Sequence, residues 1–445
     1  MKKFVAVVVA VVLYSFICVS MAFAAADTWT QKADFGGSTR VAAVGFSIGS
    51  KGYIGTGTAD AVTPFQDFWE YDPAADTWTQ KADVGGLPRM LAIGFSIGSK
   101  GYIGTGSHDL FPAAADVYKD FWEYDPTANT WTQKADFGGG NRYCATGFSI
   151  GSKGYIGTGL PYAFNPPPFN DLWEYNPATD TWTQKANVGG VGRYMATGFS
   201  IGSKGYIGGG SAGSGGNYQK DFWEYDPVTD TWTQKADSAD PRIAATGFSI
   251  GNKGYMGIGA INEGANLQND FWEYDPAVDT WTQKTDFGGT VRGFAVGFSI
   301  GSKGFIGTGA FAGNGFSNIV PYKDFWEYDP GNSCTPPVIS SLTATPDTRM
   351  VPVTISAVVS DAFDPSPVTK IISVTSNDPP NSDAVANGKA VITGDLTLNL
   401  LASRLIIVGK ERVYTITVQS ENSCGMISTG TVTVRERSLM PRPPI

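Results

Sequence analysis

From Val41 to Ile48 the chain reads VAAVGFSI, and its side chains alternate in character. Successive residues of an extended strand point to opposite sides. Ala43, Gly45 and Ser47 therefore share one face, and Val44, Phe46 and Ile48 share the other. A GSKG turn, Gly49 to Gly52, leads into Tyr53 to Gly57, a second strand with hairpin chemistry. Asp67 to Tyr71 reads as a third strand, ended by Asp72-Pro73, a pair that sets a tight turn. Thr77 to Lys81 follows as the fourth. The pattern predicts a four-stranded antiparallel meander.

The same pattern recurs along the chain, most completely from Arg193 to Lys235. The first Trp of TWTQK falls at Trp29, Trp78, Trp131, Trp182, Trp232 and Trp281, a period near 50 residues. Six copies of the first strand keep Ala, Gly and Ser on the small face, which marks the place where neighbouring sheets crowd closest. The phase at the two ends is informative. Asp27 to Lys32 is a lone fourth strand, whereas the last copy, Arg292 to Pro330, has three strands and lacks a fourth. The N-terminal strand is expected to complete the last sheet and remove the open edges; an open array with a ragged boundary is the alternative.

An Arg before the first strand, a glycine-rich end to the second, Trp69-Glu70-Tyr71-Asp72-Pro73 in the third and a Trp in the fourth resemble the kelch repeat. The resemblance spans Asp27 to about Pro330. It implies an all-β, six-bladed kelch-type β-propeller over residues 25–331. One departure is the usual glycine pair ending the second strand, which here is mostly Gly-Thr-Gly, with a full glycine run only at Gly208 to Gly210. Kelch propellers host enzymes, adhesins and scaffolds alike, so membership would not name an activity.

The repeat stops at Asn332, and residues 332–337 read as a linker holding Pro336-Pro337. Short alternating runs rich in Val, Ile and Thr follow: Val338 to Ala344, Val351 to Ser360, Lys370 to Thr375, Leu396 to Leu400 and Val413 to Ser420. They predict a β-sandwich over 338–436. The segments SSLTATPD, VPVTISAVVSD and VYTITVQSE resemble bacterial immunoglobulin-like modules of the hyalin-repeat type. Residues 437–445, rich in proline, read as a disordered tail.

Lys2 and Lys3 precede an apolar run from Phe4 to Met21, and Ala22-Phe23-Ala24 supplies small residues at a cleavage site. Residues 1–24 are thus expected to be a secretory signal. Ser15, Phe16 and Ile17 before Cys18 make a poor lipoprotein signal, and no later segment is apolar enough to span a bilayer. A formal net charge of −9 argues against a nucleic-acid partner, which needs a basic stripe. The expected location is extracellular or at the cell surface, with the periplasm as a variant, and the expected state is a monomer. In an oxidising compartment Cys334 and Cys424, which flank the C-terminal region, are able to pair. Cys144 replaces apolar residues of other copies and reads as a buried, inert thiol.

His108 is the sole histidine, which disfavours zinc sites and the copper radical oxidases that share the fold. It reads as a solvated loop residue. No nucleophile triad, metal set or cofactor motif is evident, and none is expected. Asp-Pro-x-x-Asp turns such as Asp226-Pro227 with Asp230 lack the ligand density calcium prefers and read as turn formers.

In a meander, the second-to-third and fourth-to-first connections emerge on one face. Arg40, Arg89, Arg142, Arg193, Arg242 and Arg292 stand there at the start of each first strand. Variable loops nearby carry Phe65, Phe111, Tyr118, Tyr162, Phe164, Tyr218, Phe316 and Tyr322. Guanidinium forks beside aromatic platforms suit sugars, carboxylates or protein side chains, and matching arginines in some kelch proteins line the ligand-binding mouth. The competing reading pairs each Arg with a carboxylate such as Asp67, Asp120 or Asp221 and makes it a pin. The leading functional expectation is a binding protein for a glycan or extracellular protein. The alternatives are a carbohydrate-active enzyme of the N-acetylneuraminate epimerase kind, by resemblance, and a structural matrix protein.

Overall fold

The computed structural model describes residues 27–162, 167–213, 217–261, 266–313, 318–331, 338–345, 352–360, 367–376, 390–400, 411–421 and 427–437. The expected signal, the linker, Phe164, Phe316, Cys334, Cys424 and residues 438–445 lie outside them. No described helix is long and apolar enough to cross a membrane.

Each repeat forms a four-stranded antiparallel meander, as in Val44–Ile48, Lys51–Gly55, Phe68–Asp72 and Thr77–Lys81. Six such sheets occur between Thr28 and Asp329 among the described residues, in the arrangement of a β-propeller. In the sheet of the last copy, Thr28–Lys32 pairs with Phe325–Asp329, with Trp29 opposite Tyr328. The second strand ends at Gly55, earlier than expected, because Thr56 and Gly57 adopt φ of +62° and +86° and turn the chain out of the sheet. Thr105, Thr158, Ile258 and Thr308 repeat that left-handed geometry, and Gly209 supplies it in the fourth copy. The Gly-Thr-Gly departure thus places a β-branched residue where glycine would be unstrained.

The small face of the first strand is explained by the sheet that precedes it. A Cβ at Gly94 would lie 2.1 Å from Val44 Cγ1, and one at Gly101 would lie 2.5 Å from the Phe46 ring. The last sheet meets the first in the same way, since a Cβ at Gly45 would lie 2.8 Å from Val296 Cβ. Aromatic layers continue the packing outward. Phe68 stacks on Tyr53 at 5.4 Å and meets Tyr124 and Trp131 of the next sheet edge-on at 4.9 and 5.1 Å.

The Asp-Pro-x-x-Asp turns tie neighbouring sheets together. Asp76 accepts from Tyr71 Oη at 2.7 Å and from the Ala33 amide at 3.0 Å. Asn129, Asp180, Asp230 and Asp279 repeat the pair of bonds. Asp27 does the same for the last sheet, accepting from Tyr328 Oη at 2.7 Å and from the Thr285 amide at 2.9 Å.

The C-terminal region holds two sheets. Val338–Thr345, Pro352–Ser360, Thr397–Leu400 and Ala390–Gly394 form one; Val368–Ser376, Glu411–Glu421 and Ile427–Arg437 form the other. Ile355 from the first and Ile371, Val374, Tyr414, Ile416, Val418 and Val434 from the second share one apolar core. The last strand runs through Arg437, opposite Glu411, so that residue belongs to the sheet and the expected tail begins after it.

Candidate functional site

The two kinds of variable connection do share a face. The Gly57 amide donates to the Arg89 carbonyl at 2.9 Å, and the Arg89 amide donates to Phe65 O at 3.3 Å, so each second-to-third loop is stitched to the next copy's lead-in. The arginines stand at these seams. All six are buried, at 0–1% accessibility. Arg40, Arg89, Arg142, Arg193, Arg242 and Arg292 each donate two bonds, of 2.6 to 2.9 Å, to Asp67, Asp120, Asp171, Asp221, Asp270 and Asp324 respectively. Bidentate, charge-assisted pairing of this kind is strong and geometrically specific.

Each Nη1 also donates to the carbonyl of the left-handed residue. The acceptors are Thr56, Thr105, Thr158, Gly209, Ile258 and Thr308, at 2.8 to 3.3 Å. The second carboxylate oxygen accepts the indole N–H two residues on, as from Trp69 to Asp67 at 2.8 Å. Burial, the strongest single influence on Asp67, Asp120, Asp221, Asp270 and Asp324, pushes their carboxyls up; the guanidinium bonds and charge, with the indole bond, outweigh it and hold them below the usual range. The six arginines thus form the pinning arrangement. In this geometry none lines an accessible mouth.

Several of the loop aromatics serve the same pins. Phe65 lies 4.6 Å from the Arg40 guanidinium, Tyr118 5.1 Å from that of Arg89 and Tyr322 4.4 Å from that of Arg292. Phe169, which the sequence reading passed over for Tyr162 and Phe164, stacks on Arg142 at 4.4 Å. Its signal was available: Phe65, Tyr118, Phe169 and Tyr322 all stand two residues before the pinned Asp. Tyr218 packs against the apolar cluster around the axis. Phe111 and Tyr162 are exposed, at 52% and 44%.

Other recurring polar groups are also engaged internally. Tyr53, Tyr102, Tyr155, Tyr206 and Tyr255 donate to Glu70, Glu123, Glu174, Glu224 and Glu273 at 2.6 to 2.8 Å. Burial first, and then the adjacent carboxylates, push these phenols well above their ordinary range. His108 is exposed, and Cys144 is buried, with burial raising its thiol.

What varies between copies surrounds the axis. Ala42, Leu91, Cys144, Met195, Ala244 and Phe294 occupy one repeat position and all have φ between +52° and +57°. Their amides form a head-to-tail circuit: Leu91 donates to Ala42, Cys144 to Leu91, Met195 to Cys144, Ala244 to Met195, Phe294 to Ala244 and Ala42 to Phe294, at 3.0 to 3.3 Å. Inside lies a cavity of about 140 Å³ lined by these six residues and Ala43, Ala92, Ala145, Ala196, Ala245 and Ala295. The alternation rule missed this ring because a left-handed residue breaks strand periodicity. A second space of about 170 Å³ continues along the axis past Gly45 and its copies.

The Kelch motif family matches residues 192–238, the stretch that begins beside Arg193 and includes Asp221. A solved structure titled "Structure of YjhT" is similar with a TM-score of 0.56 at 15% identity, covering 73% of this chain and 99% of that one. Identity that low speaks to fold alone. Both findings support a kelch β-propeller. No curated protein matches the chain.

Proposed function

We propose that this kelch-type β-propeller is a secreted or surface-associated, non-catalytic binding protein whose loop face recognises a glycan or an extracellular protein. In this reading residues 1–24 direct export, the chain acts as a monomer, and the six sheets close into one ring through Thr28–Lys32. The amide circuit from Ala42 through Phe294 and the bonds of Asp27 to the last sheet support closure. The two C-terminal sheets serve as an immunoglobulin-like spacer.

One observation carries the reading. The Arg, Asp, Glu and Tyr side chains present in nearly every copy are committed to one another, while the residues that differ between copies gather on the loop face and around the axis. Groups satisfied internally in many copies are scaffold, and variable groups on one face of a rigid scaffold are where recognition resides. The alternative, sugar chemistry on Arg, Glu and Tyr, would have to break those pairs. Probing the full chain against arrays of glycans and of extracellular proteins tests the proposal, alongside NMR of N-acetylneuraminate anomers incubated with the protein. Saturable binding without accelerated anomer exchange is the expected result. Accelerated exchange, or silence on both arrays, would overturn it.

A further inference from the structure

We infer that the loop end of the axis receives the terminal ring of a neutral glycan, held chiefly by backbone groups. The inference rests on the binding reading above and narrows its ligand to an uncharged carbohydrate. Ala43, Ala92, Ala145, Ala196, Ala245 and Ala295 are half-buried and border both axial spaces. Their amides donate to no described residue. Gly45 and its copies extend the set. Gly49 and Ser50 make a two-residue turn closed by the Ile48–Lys51 pair; ladder alternation then commits Val44, Phe46 and Ile48 to the second strand and turns the Gly45 amide and carbonyl away from it, toward the axis. Backbone donors and acceptors set around an interior space call for partners.

Those partners are uncharged. Every side chain bordering the two spaces is Ala, Gly, Val, Ile, Leu, Met, Phe, Thr or Cys, and the six arginines are consumed by their Asp partners. A carboxylate or an ammonium group placed there would lack a counter-charge, and a purely apolar group would strand the amides. A sugar hydroxyl, one donor with two lone pairs, answers both kinds of backbone group. The space of about 140 Å³ at the loop end is close to the roughly 150 Å³ that takes up one six-membered ring.

The ring of alanines also has two unlike halves. Thr146, Thr197 and Thr246 donate their hydroxyls to the carbonyls of Ala196, Ala245 and Ala295, at 3.0, 3.1 and 2.9 Å. The copies preceding Ala43, Ala92 and Ala145 carry Val296, Val44 and Ile93 at that position, and those three carbonyls accept from no described donor. Copies one to three thus offer a donor and an open acceptor side by side at the alanine level, and copies four to six offer donors beside occupied carbonyls. Sugar hydroxyls belong against the first half, and an acceptor-only atom, the ring oxygen or an acetamido carbonyl, against the second.

The test uses the full chain with isotope-labelled alanine and methionine methyls. Methyl glycosides of glucose, galactose, mannose and N-acetylglucosamine are titrated as probes, with N-acetylneuraminate as the charged comparison and N-acetyl-phenylalaninamide as the apolar one. At least one neutral glycoside should shift the Met195 methyl and the axial alanine methyls saturably, and neither comparison should. The Val44→Thr/Ile93→Thr/Val296→Thr variant gives each open carbonyl the hydroxyl that the other three already have. It should weaken glycoside binding by about tenfold while melting like the parent. Because the titrations use the unaltered protein, they decide the matter even where the triple variant folds poorly. Unmoved methyls with all four glycosides, a comparison compound that matches them, or a well-folded triple variant with undiminished binding would overturn the inference. A protein bound on the arrays while the methyls ignore every glycoside would refute the axial site and spare the binding reading; glycoside shifts together with accelerated anomer exchange would do the reverse.

Discussion

Replacing Arg193 by Met keeps most of the aliphatic stem and deletes the guanidinium. Asp221 then loses two bonds of 2.7 and 2.8 Å, and the Gly209 carbonyl loses its donor at 3.1 Å. Breaking a buried ion pair by removing one partner costs about 3–5 kcal/mol, chiefly because a charge is left behind without its counterpart. The Asp221 side chain is 19% accessible and retains the Trp223 indole at 2.7 Å. Partial rehydration and that remaining donor place the expected loss near the lower end, about 3 kcal/mol. Adding Asp221→Asn removes the stranded charge and keeps an acceptor for Trp223, so the double variant should recover about 1 kcal/mol. Urea unfolding followed by tryptophan fluorescence suits the measurement, because all 12 Trp residues lie between Trp29 and Trp326 and report on the repeat region alone. A single variant within about 1 kcal/mol of the parent would refute the pin. Parent-like stability combined with loss of ligand binding would assign the arginine to a ligand site.

Three other outcomes are expected. Asp67, Asp120, Asp221, Asp270 and Asp324 have lowered folded-state pKa values, so their contribution is present above the unfolded carboxylate value near 3.9 and is lost as pH falls through the folded values; the urea midpoint should drop steeply below about pH 4, and a flat midpoint down to pH 2 would contradict the assignment. Thr105→Gly should raise thermal stability by roughly 1 kcal/mol, since it relieves left-handed strain and deletes a buried hydroxyl without a partner, against the added chain entropy of glycine; calorimetry showing a lower melting temperature would count against it. Deleting Asp27 to Lys32 strips Trp29 from Phe271, Phe287 and Tyr328 and removes a strand ladder, for a loss of about 5 kcal/mol or more, seen as a collapse of the melting temperature; a truncated chain that melts like the parent would sink the closure proposal.

The meander was legible in the sequence because its causes are local. Alternation along Val44 to Ile48, the GSKG turn and Asp72-Pro73 each act over a few residues, and repetition made the same inference available six times. The unmatched strand at Asp27 to Lys32 was legible for the same reason, since the missing element and the surplus one carry the same TWTQK signature. In the C-terminal region Ala390–Gly394, which does not alternate, and Ile427–Arg437, whose alternation is confined to Thr431 to Val434, were left unread.

The fate of the arginines was not local. Each contacts an Asp 27 to 32 residues away, and the sequence left both pin and ligand contact open. Only the fold, by burying the guanidinium between a strained carbonyl and a carboxylate, decided the matter, because in the interior a charge must be met by its nearest partner. The axial ring was likewise invisible in the chain. Ala42, Leu91, Cys144, Met195, Ala244 and Phe294 look like unrelated substitutions until the sheets bring them to one axis, and their left-handed backbone is stabilised by amide bonds that exist only between copies. The chain by itself therefore determined the repeating unit, whose forces are short-range, and the tertiary structure decided which polar groups were consumed and which variable residues face a common space.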